Sequence, residues 1–362
     1  MTTDTRPVRP GEEIDADRLS EFLESRGFGC EVAIEQFPAG SSNLTYLIKV
    51  NAGEFVLRRP PFGNTVKTAH DMHREFEVLS KLSAVYSPAP KPILFCDDES
   101  VVGSEFYLME RRRGLIIRGK TPDALANSSG PPAPGGGPDT AKLWTPVCRS
   151  FVRNLAELHA LDYKAAGLES LGRPEGYARR QVEGWTKRYF AAKTNEHPEL
   201  EKAITWLNEN IPDESGASLV HNDYKFDNVM LDPADLTKIT AVLDWEMVTI
   251  GDPLMDLGTT LGYWMSKEAG DEMLDMPFNP RVLMENISRR ELAELYAEAS
   301  GRDISNILYY YVFGTFKIAV IAQQIYARFV KGFTTDRRFA NFDRFVNTLG
   351  MFAANAIQTR HI

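Results

Sequence analysis

The chain has 362 residues, 43% of them hydrophobic, and a formal net charge of −9. That length exceeds the usual size of one hydrophobic core, so two lobes are expected, and the acidic balance argues against a general nucleic-acid or anionic-membrane surface. Cys30, Cys96 and Cys148 are too few and too scattered for a disulfide framework or a zinc site; with no apolar leader and no bilayer-length apolar run, a reducing, cytoplasmic setting fits best.

In chain order, the first dozen residues are polar, and Asp15 can cap a helix that carries Leu19, Phe22 and Leu23 on one face and ends at Gly27 and Gly29. Residues 31–37, 44–50 and 54–59 read as antiparallel strands, the last two joined by a turn at Asn51-Ala52-Gly53. Pro38-Ala39-Gly40-Ser41-Ser42-Asn43, between the first two, is small and polar: a plain hairpin tip, or a loop whose N–H groups and hydroxyls cover phosphates. A helix over 68–84 puts Glu75 on the face of Leu79 and Leu82 and turns Glu77 away. Residues 105–110 read as an edge strand leading to Arg111-Arg112-Arg113-Gly114, where the arginines form either a solvated charge run or a phosphate site. Residues 127–138, NSSGPPAPGGGP, are of low complexity and cannot build a core.

From Asp139 the pattern turns helical, with Leu143, Val147, Phe151, Leu155 and Leu158 at helical spacing ahead of His159, which reads as a buried packing or capping residue. Helices follow over 175–190 and 198–210, the former with Arg180, Gln181 and Trp185 fixing the packing, and then over 253–264, 289–300, 304–330 and 336–359. Tyr309, Tyr310, Tyr311, Phe313 and Phe316 are expected mostly in the core, with one or two lining an acceptor site. The divisions are an extension and helix (1–30), a β-rich lobe (31–113), a connection with a Gly/Pro-rich loop (114–138) and a helical lobe (139–362).

The chemistry concentrates in residues 219–256. His221, Asp223 and Asn228 form an H-x-D-x-x-x-x-N pattern on a loop between the short β-type runs 218–220 and 229–231, and a further run, 239–243, delivers Asp244 at its end. A loop carboxylate that can accept a hydroxyl proton, an amide five residues on and a carboxylate ending the next strand are the parts of Mg²⁺-assisted phosphoryl transfer. Asp223 would orient and deprotonate an acceptor hydroxyl, while Asn228 and Asp244 offer the oxygen ligands that Mg²⁺ prefers. His221 is read as structural. Lys225 either approaches a γ-phosphate or is solvated; Asp227 either meets an acceptor ammonium or caps the loop; Glu246 can reach a second metal ion or a substrate. Asp256 is expected to bind loop N–H groups so that His221 and Asp223 stay placed.

HNDYKFDN followed by LDWE and GDPLMDL resembles the aminoglycoside phosphotransferase family, related to choline kinases and more distantly to protein kinases. FPAGSSNLTYLI, FVLRRPP, REFEVLSKL, LHALDY and GRPEGYARRQVEGW are similar to the phosphotransferase domain joined to some acyl-CoA dehydrogenases. The resemblance implies an α+β, two-lobed protein-kinase-like fold with a small β-rich N-lobe and a large helical C-lobe. It also implies ATP and Mg²⁺ as cofactors and a small-molecule hydroxyl as acceptor. In that reading Ser41 and Ser42 cover the nucleotide phosphates and Asn43 braces their loop. Arg58 stands where a lysine is usual, with Glu75 as its partner, and backbone groups around Met109, Glu110 and Arg111 meet the adenine edge. Arginine and lysine are not interchangeable in such a contact. The acceptor expected is an aminoglycoside or a metabolite, including one linked to acyl-CoA; neither nucleic acid nor membrane is expected. A catalytically weak nucleotide-binding module is the alternative that Arg58 and the glycine-poor loop suggest.

Overall fold

The computed structural model describes residues 4–38, 43–62, 71–118, 141–265, 284, 287–334 and 336–362. Two units are distinguished, Met1–Arg113 with Thr240–Glu246, and Gly114–Ile239 with Met247–Ile362. The first unit holds α1 (Ala16–Ser25), β1 (Ala33–Gln36), β2 (Leu44–Val50), β3 (Gly53–Arg59), α2 (Met72–Leu82), β4 (Pro92–Cys96), a short α3 (Glu99–Val102) and β5 (Phe106–Glu110). Its strands form one antiparallel sheet in the order β1-β2-β3-β5-β4. A two-residue connection, Asn51-Ala52, joins β2 to β3, and Gly53 just after it takes φ +136°, a value that favours glycine.

Because side chains alternate across a strand, the register assigns two faces. Tyr46, Ile48, Leu57, Phe106 and Leu108 pack with Leu19 and Leu23 of α1, whose first turn is capped by Asp15. Arg58, one residue along from Leu57, lies opposite Tyr107 on the other face, where α2 brings Phe76 to 6.2 Å from the Tyr107 ring and buries Glu75 while Glu77 is exposed. The start expected for α2 falls on residues 63–70, outside those described. The edge assignment of residues 105–110 is corrected: β5 lies between β3 and β4, and β4 is the outer strand. Pro92 opens β4, a position where a residue without an N–H is tolerated.

The second unit contains α4 (Ala141–His159), α5 (Tyr177–Ala192), α6 (Pro198–Glu209), β6 (Ser218–Val220), β7 (Val229–Asp232), β9 (Thr249–Gly251), α7 (Pro253–Tyr263), α8 (Arg289–Ser300), α9 (Ile307–Val330) and α10 (Phe342–Thr359). β6 pairs with β9, and β7 with β8 (Asp235–Val242), which continues into the first unit's segment. α9 is buried along most of its length and crosses α7 where Gly314 meets Gly258; a β-carbon on either would overlap the other helix's backbone. Tyr309, Tyr310, Tyr311, Phe313 and Phe316 are all 3% exposed or less, so the aromatic run is core, as most of it was expected to be. The single helix expected over 336–359 is divided, because Asp336 binds the Arg338 N–H in a 3₁₀ turn, Arg337–Phe339, before α10 begins. Among the described residues no helix is long and apolar enough to cross a membrane, and all three cysteines are free.

Candidate active site

β6 leads into the loop 221–228, and the loop is held from α7. Asp256, Thr260 and Tyr263 stand at i, i+4 and i+7, so one stripe of the helix faces the loop. Asp256 accepts the His221 N–H (2.7 Å) and the Asn222 N–H (2.8 Å), Thr260 donates to the Tyr224 carbonyl (2.8 Å), and the Tyr263 hydroxyl donates to Asp223 Oδ1 (2.8 Å). Asp256 is fully buried; burial alone would raise its pKa, but His159 at 3.1 Å and other neighbours hold it below the usual value. His159 is thereby a buried bridge, its other ring nitrogen 2.7 Å from the Tyr296 hydroxyl. The His221 ring is buried, and its Nδ1 accepts the Asp223 N–H at 3.2 Å.

Asn222 adopts φ +67°, a left-handed conformation that asparagine tolerates better than most residues. Its amide donates to Met247 O (3.0 Å), accepts from the Tyr177 hydroxyl (3.1 Å), and its carbonyl accepts from Lys317 Nζ (2.5 Å). Lys317 is itself buried, and burial pulls its ammonium down to about 8 against the attraction of Asp256 and Asp223. Asp223 follows directly. Its Oδ2 accepts from Lys225 Nζ (2.7 Å) and Asn228 Nδ2 (2.9 Å); the same Nδ2 also reaches the Asp223 carbonyl (2.9 Å). This network assigns the amide orientation and turns Asn228 Oδ1 away from Asp223.

Lys225 is therefore not a solvated lysine: its side chain is 16% exposed, lies 4.8 Å from the Tyr263 ring centroid, and stays charged because Asp223 outweighs the cost of burial. Asp227 pairs with Arg118. Tyr177, Tyr263 and Lys317 were missed from the sequence. Each arrives from a separate helix; Tyr177 lies within GRPEGYARRQVEGW, but that motif does not tell of its bond to Asn222.

The first unit makes a second cluster. Arg58 is 3.3 Å from Glu75, 2.7 Å from Asp244 and 3.7 Å from Glu246. Burial disfavours the guanidinium charge, yet Glu75 and Asp244 hold its pKa well above the ordinary value; burial pushes Glu75 up, with Arg58 opposing. Asn43 donates to Glu246 at 2.9 Å, and Arg74 to the Glu246 carbonyl at 3.1 Å. Asp244 takes φ +67°. Ser41 and Ser42 lie outside the described residues. Met109 and Glu110 end β5, and the Glu110 N–H donates to the Lys91 carbonyl at 2.9 Å. Of the arginines, Arg111 bridges Asp4 and Glu54, Arg112 pairs with Glu110, and the more exposed Arg113 also reaches Glu54, so each has a carboxylate partner.

Among the described residues no cluster of three or more His, Cys, Asp and Glu side chains is assembled as a metal cage. The donors carried by Asn228 and Asp244, an amide oxygen and a carboxylate, are the hard type suited to Mg²⁺, which takes one or two carboxylates and keeps water.

The phosphotransferase enzyme family matches residues 33–279. The chain belongs to that family. Acyl-CoA dehydrogenase family member 11 of Rattus norvegicus is 34% identical over 346 residues, covering 92% of this chain and 42% of the relative, so this phosphotransferase-family chain spans about two fifths of that protein's length. A solved structure from Ralstonia eutropha, provisionally named an aminoglycoside phosphotransferase, is 27% identical with a TM-score of 0.75, covering 96% of this chain and 99% of its own. An aminoglycoside phosphotransferase solved with AMP-PNP and hygromycin B shares the fold at 16% identity and a TM-score of 0.59, over 93% and 98% of the two chains. The fold is thus that of the small-molecule phosphotransferases, α+β with a β-rich N-terminal lobe and a helical C-terminal lobe.

Proposed function

We propose that this phosphotransferase moves the γ-phosphoryl group of ATP, with Mg²⁺, to a hydroxyl of a small molecule. The observation that carries the reading is the fixing of Asp223, a carboxylate bonded by Tyr263, Lys225 and Asn228 on a loop that α7 pins. Asp223 orients the acceptor hydroxyl and takes its proton. Lys225 meets negative charge leaving with the phosphoryl group. Arg58, partnered by Glu75, holds the inner phosphates, Ser41 and Ser42 cover them, and Asn43 braces that loop through Glu246. The adenine edge falls to backbone groups around Met109, Glu110 and Arg111. Asn228 and Asp244 would hold Mg²⁺, which when bound neutralises charge on the terminal phosphates. His221 and Asp256 support the loop.

The acceptor we favour is a hydroxylated metabolite, including an acyl thioester, rather than a polycationic aminoglycoside; the likeness to acyl-CoA dehydrogenase family members supports this. Free cysteines support a cytoplasmic setting. A second reading, a nucleotide-binding module with little turnover, is favoured by the 2.7 Å bond from Arg58 to Asp244, which engages a proposed metal ligand. ADP release with ATP and Mg²⁺ across both acceptor classes, with mass spectrometry of products, tests these readings. Phosphorylation of a hydroxylated thioester or metabolite is expected. Aminoglycoside turnover at a kcat/KM of ~10⁴ M⁻¹s⁻¹ or more would refute the preference, and nucleotide binding without any product would favour the module.

A further inference from the structure

A general base that works on a hydroxyl works on water too, so a phosphotransferase with an idle Asp223 would waste ATP. The Tyr263 hydroxyl donates to Asp223 Oδ1 at 2.8 Å, the same kind of bond an acceptor hydroxyl would make, while Lys225 and Asn228 take Oδ2. Tyr263 is the last residue of α7, a helix anchored to the loop by Asp256 and Thr260, and is 6% exposed. Its position is therefore set by the helix and not by a flexible tail. Burial and the adjoining carboxylate push its pKa up, so the phenol keeps its proton and donates it to Asp223.

We propose that Tyr263 is a specificity-determining placeholder: its hydroxyl occupies Asp223 until an acceptor hydroxyl displaces or shares that bond, which denies the carboxylate to water. The inference rests on Asp223 being the base. The reaction suppressed is hydrolysis, in which water oxygen bonds to the γ-phosphorus, the bond from that phosphorus to the bridging oxygen breaks, ADP leaves, and Asp223 takes the water proton.

The test needs no acceptor. ADP release from ATP and Mg²⁺ alone is compared for the full chain, Tyr263→Phe, Asp223→Asn and the double variant, with thermal midpoints and ATP binding measured alongside. Tyr263→Phe keeps the ring beside Lys225 and should raise acceptor-independent hydrolysis about three- to tenfold, since a hydrogen bond to a charged group is only partly replaced by water; Asp223→Asn should abolish the increase. Should Tyr263→Phe not fold, Tyr263→Met carries the same expectation. Hydrolysis that depends on Asp223 but is unchanged or lower in the variant overturns the placeholder alone. Hydrolysis that survives Asp223→Asn overturns the assignment of the base and the placeholder with it. A purely structural role for Tyr263 would lower the thermal midpoint without raising hydrolysis, which also counts against the proposal.

Discussion

At the residue scale, Asn222 shows what a motif leaves unsaid. It looks like filler between His221 and Asp223, yet its left-handed backbone sets the direction of the next side chain, and its carbonyl is held by Lys317, 95 residues away. The motif residues were legible because their spacing is local; Tyr263 and Lys317 were not, because contact between distant helices leaves no short-range pattern. Arg58 and Glu75 lie between these cases, since strand alternation and helical spacing each put one of them on a facing surface. Lys317 yields a pH prediction. Its folded pKa, about 8, lies below the ordinary lysine value of 10.5, so between those values the unfolded chain binds more protons and stability rises with pH. The charged and titratable groups acting on it are Asp256, Asp223, Lys225 and Arg188. Compared with Lys317→Met, the wild type should gain up to about 3 kcal/mol in relative stability from pH 8 to pH 10.5, measured by urea unfolding. A difference independent of pH would show that the ammonium is not desolvated as described.

At the element scale, most helices and strands were readable because burial imposes periods of 3.6 and 2 on apolar residues. Periodicity reports that a face is buried and is silent about what covers it. For that reason β5 read as an edge when it lies between β3 and β4. The crossing of α7 and α9 depends on two glycines that sequence reading passed over. Gly314→Ala adds helix propensity worth about 1 kcal/mol, but its β-carbon would overlap the Gly258 backbone, which cannot rotate away as a side chain can. Overpacking should win, with a net loss of about 2 kcal/mol or more. A denaturation midpoint equal to or above that of the wild type would contradict the close crossing. Since Lys317 lies one turn beyond Gly314 on α9, the same crossing also places the group that holds Asn222.

At the scale of the whole molecule, family membership and the fold class follow from the catalytic motifs and from the solved relatives alike. The acceptor does not, because it depends on surfaces that no motif encodes, and the chain covers only part of the acyl-CoA dehydrogenase relatives it resembles. The net charge of −9 is a property of the molecule as a whole and bears on solubility and association more than on which hydroxyl is phosphorylated. In the proposed function Asp223 serves the chemical step and not nucleotide binding. The most direct measurement is phosphoryl transfer by Asp223→Asn set beside its affinity for ATP with Mg²⁺. Transfer should fall by about 10²- to 10⁴-fold while the affinity stays nearly unchanged; an equal loss of both, or transfer that persists, would contradict it.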